Sequence, residues 1–286
     1  MYVVSKDTFD HIPPITLGAL RLVLAGLALV TALWLRGSLR RPEGRLLPLA
    51  GALLAGTLVA QFVGTELSTA SEGALLTTTT PLFIVPLAWA FLRERPTATT
   101  IVGIAVGMAG VALAVGGGVA FERSAWGPTL LLLSALGWAG YTIASAPIAR
   151  REGPLHAVTW ATVIAAPILV LLAVVEIDRW DAAAFTHPPT LGAIAYLGLA
   201  ASAGAWYLWN RGVAGLPAAV AGTFFFVQPV VGGLLARSVL GERLDVWFWL
   251  GGLLILAGVL LALRAPGHPD APRPSPRPKE VSRWRS

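Results

Sequence analysis

The stretch "TTTTPLFIVPLAWAFLRERP", residues 77–96, decides how this chain folds, because a second copy of its pattern lies further along the sequence. That copy is "PVVGGLLARSVLGERL", which begins at residue 229. In both copies a proline is followed thirteen residues later by a glutamate, Glu94 or Glu242, and then by an arginine. The same offset of 148 residues also pairs Gly64 with Gly212, Leu92 with Leu240, Gly103 with Gly251 and Gly110 with Gly258. The chain is therefore predicted to contain two tandem copies of one helical unit.

The composition indicates that this unit lies in a membrane. Apolar residues make up 56% of the chain, charged residues only 13%, and the mean hydropathy is +0.71, whereas soluble domains carry about 25% charged residues. Nine stretches hold at most one charge each, and each approaches the ~20 residues that a helix needs to cross a ~30 Å hydrocarbon core. These stretches are 14–35, 46–65, 73–92, 97–120, 128–149, 157–175, 189–209, 216–240 and 246–263. Since none of them alternates as a barrel strand does, we predict an all-α integral membrane protein with nine visible transmembrane helices.

The formal charge of +6 reflects membrane topology, because the basic residues cluster at one set of helix ends. If the C-terminus is cytoplasmic, alternation across nine helices places fifteen of the 21 Lys and Arg residues on the cytoplasmic side and five on the other, with Arg21 inside a span. This asymmetry follows the positive-inside rule. We therefore predict a multi-pass plasma-membrane protein with a cytoplasmic C-terminus and no nucleic-acid partner.

An odd number of helices in each copy would invert the second copy relative to the first. The second copy holds five apolar stretches and the first holds four, so one further helix is expected at the start of the first copy. "MYVVSK" (1–6) aligns with "GYTIAS" (140–145), and we interpret it as the end of that helix, the rest being lost either to a late start codon or to true truncation. The predicted division is a first repeat over 1–120, a second repeat over 127–264, and a disordered, basic, Pro-rich cytoplasmic tail over 265–286.

These features together resemble the EamA-like branch of the drug/metabolite transporter superfamily. The resemblance rests on "PPITLGALRLVLAGLALV" (13–30), the paired proline-to-Glu-Arg helices, "YLWNRGV" (207–213) and "GGLLILAGVLLAL" (251–263). It implies ten helices arranged as two inverted five-helix repeats, with a central cavity through which substrate crosses by alternating access. The family includes exporters of amino acids and other metabolites, and relatives that move nucleotide sugars. The chain departs from the family pattern in its first helix, most of which is missing and which helps to line the cavity in such proteins.

Two prolines mark an expected cavity wall. A proline inside a helix leaves the carbonyl four residues earlier without its N–H, so Pro81 frees the carbonyl of Thr77, and Pro229 acts likewise in the second copy. In a membrane, nearby hydroxyls or cavity water satisfy such a carbonyl. Thr77 and Thr80 share one helix face and, with Gln228 from the second copy, are candidates to line a substrate path. The alternative is a kinked helix whose hydroxyls serve packing alone.

Other side chains inside the spans extend the set of cavity candidates. Gln61, Trp138 and Tyr141 are as compatible with lining a cavity as with plain helix packing. Arg21 is the one charge deep within a span. It either attracts an anionic substrate group, ties helices together through carbonyls, or snorkels to the interface.

The remaining polar residues at span ends are predicted to be structural. The cluster "WYLWN" (206–210) is expected to form an interfacial aromatic belt. Glu94 and Glu242 resemble the helix-end glutamates of the family and are expected to close a short turn with neighbouring backbone or arginine.

No motif in the sequence predicts an enzyme, a metal site or a cofactor. The chain has no cysteine, and its four histidines lie outside the apolar stretches, so neither a buried metal site nor a His-based relay has candidate residues. HExxH, GxSxG and P-loop motifs are absent, and no carboxylate lies at mid-membrane. Transport would then be facilitated, or coupled by groups that the sequence does not identify.

We therefore predict a secondary transporter that exports a small metabolite, amino acid-like or drug-like, across the plasma membrane. Its expected partners are that substrate and the lipid bilayer, and its Gly-rich helix faces are compatible with a homodimer. Two other classes are left by the residues alone. One is a non-transporting membrane scaffold or receptor-like protein of the same fold, for which the missing first helix is the main argument; the other, less favoured, is an intramembrane enzyme.

Overall fold

Helices form all the regular structure in the residues that the computed structural model describes, which are 2–68, 70–115, 126–180, 184, 186–231 and 246–264. In chain order the α-helices are α1 (Tyr2–Thr8), α2 (Pro14–Leu35), α3 (Leu47–Glu66), α4 (Ala70–Thr77), α5 (Thr80–Leu87), α6 (Ala98–Val115), α7 (Trp126–Glu152), α8 (Pro154–Ala173), α9 (Pro188–Ala195), α10 (Ala205–Gly215), α11 (Ala218–Gly222) and α12 (Val246–Leu263). Between some of them run π-helical turns at Ala88–Leu92 and Tyr196–Gly204, and 3₁₀ turns at Val174–Arg179 and Thr223–Phe226. The predicted C-terminal tail lies outside these residues.

Within the described residues, seven helical segments are long and apolar enough to cross a membrane. They are Pro14–Leu35, Leu47–Glu66, Gly73–Leu92, Trp126–Glu152, Pro154–Arg179, Pro188–Gly215 and Val246–Leu263. Two shorter apolar helices, Ala98–Ala114 and Ala218–Val231, lie where the sequence predicts the other two spans, and the residues that follow them are outside the described part of the chain. The chain is an all-α, multi-pass integral membrane protein, as its composition predicts, while the ten-helix arrangement stays a prediction.

The four threonines of the opening stretch lie at a break between two helices. α4 ends at Thr77 and α5 begins at Thr80. Each of the four hydroxyls donates back to a carbonyl three or four residues earlier, at 2.6–2.8 Å. Thr80 donates at 2.6 Å to the carbonyl of Thr77, which is the carbonyl that Pro81 leaves without an N–H. The hydroxyls therefore allow the helix to break inside a membrane without leaving these carbonyls unsatisfied.

Glycines bring α6 and α12 into direct backbone contact. A Cβ atom on Gly103 would lie 2.6 Å from the carbonyl oxygen of Gly258, and a Cβ on Gly110 would lie 2.7 Å from that of Gly251. The 148-residue offset pairs Gly103 with Gly251 and Gly110 with Gly258. Gly103 therefore contacts the counterpart of Gly110, and Gly110 contacts the counterpart of Gly103. A two-fold relation produces this crosswise pattern, in which residue i contacts j and the equivalent of j contacts the equivalent of i. These glycines serve contact within the chain.

The rest of the bundle is built around α2, α3, α7 and α8. α2 packs along α8, and α3 packs against both α7 and α8. The largest cluster of buried apolar side chains joins these helices, with Leu22, Leu54 and Val158 fully enclosed at its centre. This apolar cluster packs behind one side of the cavity that the predicted polar residues line, which is described below.

A carboxylate closes the helix ends at the face that the charge bias predicts to be cytoplasmic. Glu94 accepts a hydrogen bond of 2.6 Å from Arg150 Nη2 and one of 2.7 Å from the backbone N–H of Ala218, at the start of α11. Arg150 also donates to the carbonyls of Val213 and Leu216, both at 3.3 Å. Glu94 therefore joins the end of α5 to α7 and α11, with backbone and arginine as partners. Its sequence counterpart Glu242 lies outside the described residues.

A different set of contacts closes the opposite face. Glu66 pairs with Arg179, and Glu176 accepts from the backbone N–H and the hydroxyl of Thr16, at 2.8 and 2.9 Å. Lys6, in α1, donates to the carbonyls of Thr65 and Glu66 at the end of α3, at 3.3 and 2.8 Å, and at 2.7 Å to that of Ser68 just beyond it. α1 lies where the sequence predicts the end of a first helix, and Lys6 anchors it to α3.

Candidate functional site

Several of the predicted candidates meet in one cavity between the helices. It encloses about 800 Å³ of empty space, counting its open mouth. Helices from both halves of the chain form its wall. The lining residues are Tyr2, Arg21, Thr57, Gln61, Thr77, Thr80, Ser134, Ala135, Trp138, Ala201, Ala205, Trp206, Trp209, Phe224, Phe225 and Gln228.

One side of the cavity is a polar wall made of Tyr2, Gln61, Thr77 and Thr80, all from the N-terminal half. Gln61 Nε2 donates to the Tyr2 hydroxyl at 2.8 Å, and that hydroxyl donates to Thr77 Oγ1 at 3.0 Å. Thr77 in turn donates to the carbonyl of Gly73 at 2.8 Å. The chain of hydrogen bonds fixes the direction of each group and places α1 against the break between α4 and α5. The broken helix therefore serves packing through its hydroxyls and contributes to the cavity wall as well.

Arg21 lies inside the bundle and lines the cavity, with only 1% of its surface exposed. Its Nε donates to the hydroxyl of Ser202, and its Nη2 donates to the carbonyl of Ala201 at 3.1 Å. Both partners lie in the π-helical turn Tyr196–Gly204, and π turns are frequent at functional sites. Among the residues that the structure describes, Arg21 forms no ion pair with Asp or Glu. The guanidinium ties two helices together and does not snorkel to an interface.

Aromatic rings cover the faces of this guanidinium. Arg21 Cζ lies 5.1 Å from the ring centroid of Trp206 and 5.6 Å from that of Phe62. Rings at this distance attract a cation through their quadrupole. The rings compensate part of the cost of burying the charge, but they offer no hydrogen-bond acceptor.

The other side of the cavity is an aromatic wall made of Trp138, Trp206, Trp209 and Phe225, all from the helices that follow residue 125. The ring of Trp138 is central, with centroids 5.9 Å from Trp206, 6.0 Å from Trp209 and 6.3 Å from Phe225. Trp209 and Phe225 meet edge to face at 5.0 Å. The prediction of an interfacial belt is wrong for Trp206, which is 4% exposed, and for Trp209, because both line the cavity. Their spacing of three residues, which puts them on one helix face, was the signal available in the sequence.

Two polar side chains stand behind the aromatic wall. Tyr141 is fully buried and does not line the cavity; its hydroxyl accepts from Asn210 Nδ2 at 2.8 Å. The Tyr141 ring lies 5.2 Å from that of Trp138. Tyr141 and Asn210, the latter also predicted for the interfacial belt, therefore position the wall by packing and hydrogen bonding from outside.

Gln228, Pro81 and Pro229 are the remaining candidates, and they differ in whether they line the cavity. Gln228 lines the cavity, whereas Pro81 and Pro229 are not among its lining residues. Pro81 packs against Gly222, where an added Cβ would lie 3.5 Å from Pro81 Cα. The prolines shape the helices that carry lining residues and do not themselves face the cavity.

Three polar atoms on lining residues have no hydrogen-bond partner among the described residues. They are Arg21 Nη1, Thr57 Oγ1 and Trp138 Nε1. Two of the three are obligate donors. Thr57 and Ser134 were not identified from the sequence, because a single hydroxyl within an apolar helix carries no periodic signal. In the described part of the chain, no group of three His, Asp or Glu side chains is placed to hold a metal ion.

A comparison with protein families places two segments of the chain in one of them. Residues 1–116 and residues 125–264 both match the model of the EamA-like transporter family. Together these segments span nearly the whole chain.

Curated relatives agree with this match. The uncharacterized inner membrane transporter YedA of Escherichia coli (strain K12) is 28% identical in an alignment that covers 98% of this chain and 92% of that protein. The uncharacterized transporter YwfM of Bacillus subtilis (strain 168) is 27% identical over 88% of this chain and 85% of its own length. A probable terminal-alkyne amino-acid exporter of Streptantibioticus cattleyicolor is 32% identical over 85% of this chain and 82% of its own. A solved crystal structure of a protein that is 21% identical has the same fold, with a TM-score of 0.77 over 91% of this chain and 90% of that one.

Proposed function

This chain belongs to the EamA-like transporter family and is a membrane transporter, and we propose that it exports a small metabolite through the cavity by alternating access. The observation that carries the proposal is the cavity itself. Its lining combines hydroxyl and amide groups, most of them from residues 2–80, with tryptophan and phenylalanine rings from residues 138–225; Ser134 and Gln228 add one hydroxyl and one amide from the second part of the chain. A few convergent polar groups within a largely apolar pocket are typical of small-molecule sites.

Alternating access requires that the two faces of the bundle open in turn. Polar contacts hold both faces: Glu94 with Arg150 and Ala218 on one, and Glu66 with Arg179, together with the contacts of Glu176 and Lys6, on the other. The pair of Glu66 and Arg179 is partly exposed, and an exposed ion pair contributes only about 0.2–1 kcal/mol, so a moderate binding energy is enough to open it. The crosswise glycine contact of α6 and α12 supports a two-fold relation between the halves, which is the symmetry that such a motion uses.

The amino acid-like substrate is supported by one relative and by the chemistry of the wall. The Streptantibioticus protein is named as an exporter of an amino acid. In this chain the polar wall suits the polar end of such a molecule, and the aromatic wall suits its side chain. A drug-like compound with one polar end and one apolar end would meet the same surfaces.

Reconstitution of the purified protein into liposomes tests the proposal. Vesicles preloaded with a mixture of unlabelled amino acids should accumulate a labelled member of that mixture by exchange. Leu27→Ala, a change on the exposed side of α2, should exchange at the parent rate. Trp206→Ala, a change in the wall of the cavity, should exchange at least tenfold more slowly, because the ring contributes a few kcal/mol of contact. Absence of exchange for every amino acid and drug-like compound screened, by folded protein, would reject the proposal in favour of a non-transporting role.

A further inference from the structure

We propose that the cavity recognises a carboxylate on a molecule with an apolar body, and that Arg21 is the residue that binds the carboxylate. The inference rests on the proposed function and narrows its substrate to one chemical class. Its starting point is the guanidinium, which is 99% removed from solvent and yet faces no carboxylate of the described protein.

A buried arginine stays charged, and buried charges in proteins are ordinarily paired. Two of the three guanidinium nitrogens of Arg21 donate to Ser202 and Ala201, both neutral partners. The third, Nη1, is buried and has no acceptor among the described residues, so a ligand in the cavity would reach it only after a small shift of the side chain or its neighbours. An anion in the cavity would supply both the missing acceptor and the missing countercharge, and the planar fork of arginine matches a carboxylate in particular.

Further donors on the wall favour the same ligand. Trp138 Nε1 and the Thr57 hydroxyl likewise have no hydrogen-bond partner in the described part of the chain, and both residues line the cavity with Arg21. Trp206 lies between Arg21 and Trp138, since its ring centroid is 5.1 Å from Arg21 Cζ and 5.9 Å from the ring centroid of Trp138. A carboxylate bound near Arg21 would therefore sit at the edge of the aromatic wall, and that wall would cover the apolar body attached to it.

The charge of the lining favours a monoanion over a cation or a dianion. Of the described residues that line the cavity, none is Asp or Glu, so an ammonium group would find only aromatic rings as partners and would be repelled by Arg21. None besides Arg21 is basic, so a phosphate dianion would bring a second charge without a second cation. The ligand is thus a monocarboxylate, with or without an α-amino group.

Binding to the protein in lipid nanodiscs, measured by isothermal titration calorimetry, tests this class without requiring transport. The probes share one 2-phenylethyl group and differ only in the head group: 3-phenylpropionate, its neutral amide, phenethylamine and 2-phenylethylphosphonate. We expect the parent to bind 3-phenylpropionate at least about tenfold more tightly than the other three, because a charge-assisted hydrogen bond is roughly twice as strong as a neutral one. Equal binding of the amide or the amine, or tighter binding of the phosphonate, would overturn the assignment.

Variants then assign the preference to Arg21. Arg21→Gln should bind the acid and the amide with equal affinity, while Leu27→Ala on the same helix should keep the parent preference. If Arg21→Gln does not fold, Arg21→Lys is used; it keeps the charge but loses the fork, and its preference for the acid should fall several-fold. An unchanged preference in whichever of the two folds would overturn the role of Arg21.

The two proposals fail in different ways. Transport of a compound without a carboxylate in liposomes, with no preference for the acid in nanodiscs, would reject the carboxylate and leave the transporter standing. Selective binding of the acid in nanodiscs, with no flux of any acid in liposomes, would support the site and reject its use in transport.

Discussion

The polar wall of the cavity comes from residues 2–80 and the aromatic wall from residues 138–225, and the two walls differ in chemistry. The polar wall holds its groups by a directed series of hydrogen bonds from Gln61 through Tyr2 to Thr77. The aromatic wall holds its rings by contacts of 5.0–6.3 Å around Trp138, with Tyr141 and Asn210 behind them. The cavity therefore presents two unlike surfaces to whatever it holds. A molecule with one polar and one apolar end would be oriented between them, which two identical walls would not achieve.

Arg21 lies where the two walls meet, and its removal should have the largest effect. Arg21→Ala should lower the transport of an aromatic carboxylate on the order of 30-fold or more, because truncating one partner of a buried, hydrogen-bonded charge pair costs about 2–5 kcal/mol. Initial rates in liposomes measure this, with the amount of inserted protein as the reference.

Leu27→Ala is the control for this change, since Leu27 lies on the same helix and is exposed. Parent-like transport by inserted Arg21→Ala would remove Arg21 from the site and leave it the role of tying α2 to the π turn.

The aromatic wall should set the preference for the substrate body. Trp138→Leu should slow the transport of an aromatic carboxylate roughly tenfold, through loss of ring contacts and of the Nε1 donor, while an aliphatic carboxylate loses less. Competition between a phenyl and a straight-chain acid in the liposome assay gives the ratio. Trp89→Leu, at an exposed tryptophan, should leave the ratio unchanged. Equal losses for both acids would mean that the two walls do not divide the substrate between them.

The polar wall should contribute less to the rate of transport, and by the same factor for a phenyl acid as for a straight-chain acid. Tyr2→Phe removes the hydroxyl between Gln61 and Thr77, and Thr77 keeps its bond to the Gly73 carbonyl. A neutral hydrogen bond contributes about 1 kcal/mol, so transport of both acids should fall about fivefold. Tyr196→Phe, at an exposed tyrosine, is the matched control. A loss confined to the phenyl acid would place Tyr2 functionally with the aromatic wall.

Single cysteines should have the smallest effect on transport and report on access. The chain has no cysteine. We expect cysteines at Thr77, Thr80 and Gln228 to keep transport within a fewfold of the parent and to react with a polar thiol reagent from one side of the membrane at a time. A cysteine at Tyr141, behind the wall, should not react. Inertness at the three lining positions, with an exposed loop control reacting, would show that water does not reach the polar wall.

The sequence predicted the helices better than the site. Hydropathy and the 148-residue repeat placed the apolar helices, and proline chemistry placed the break at Thr77–Thr80, because these signals act within one segment. The site required contacts between segments. The sequence predicts an interfacial aromatic belt at Trp206 and Trp209, because a position near the end of a span is typical of interfacial tryptophans. Only the packing of α10 against α7 shows that they face inward.

By itself, the sequence determined that this protein lies in a lipid bilayer, that its secondary structure is helical, and which family it resembles. A chain with 56% apolar residues in about 20-residue runs has few choices in a bilayer other than helices, since every backbone polar group must be satisfied within its own segment. The tertiary structure decided which side chains share the cavity and which atoms stay unpartnered. Tyr2 and Thr77 are 75 residues apart, and Arg21 and Ser202 are 181 apart. Contacts at such distances depend on how helices pack and where π and 3₁₀ turns rotate them, and no local pattern encodes that rotation.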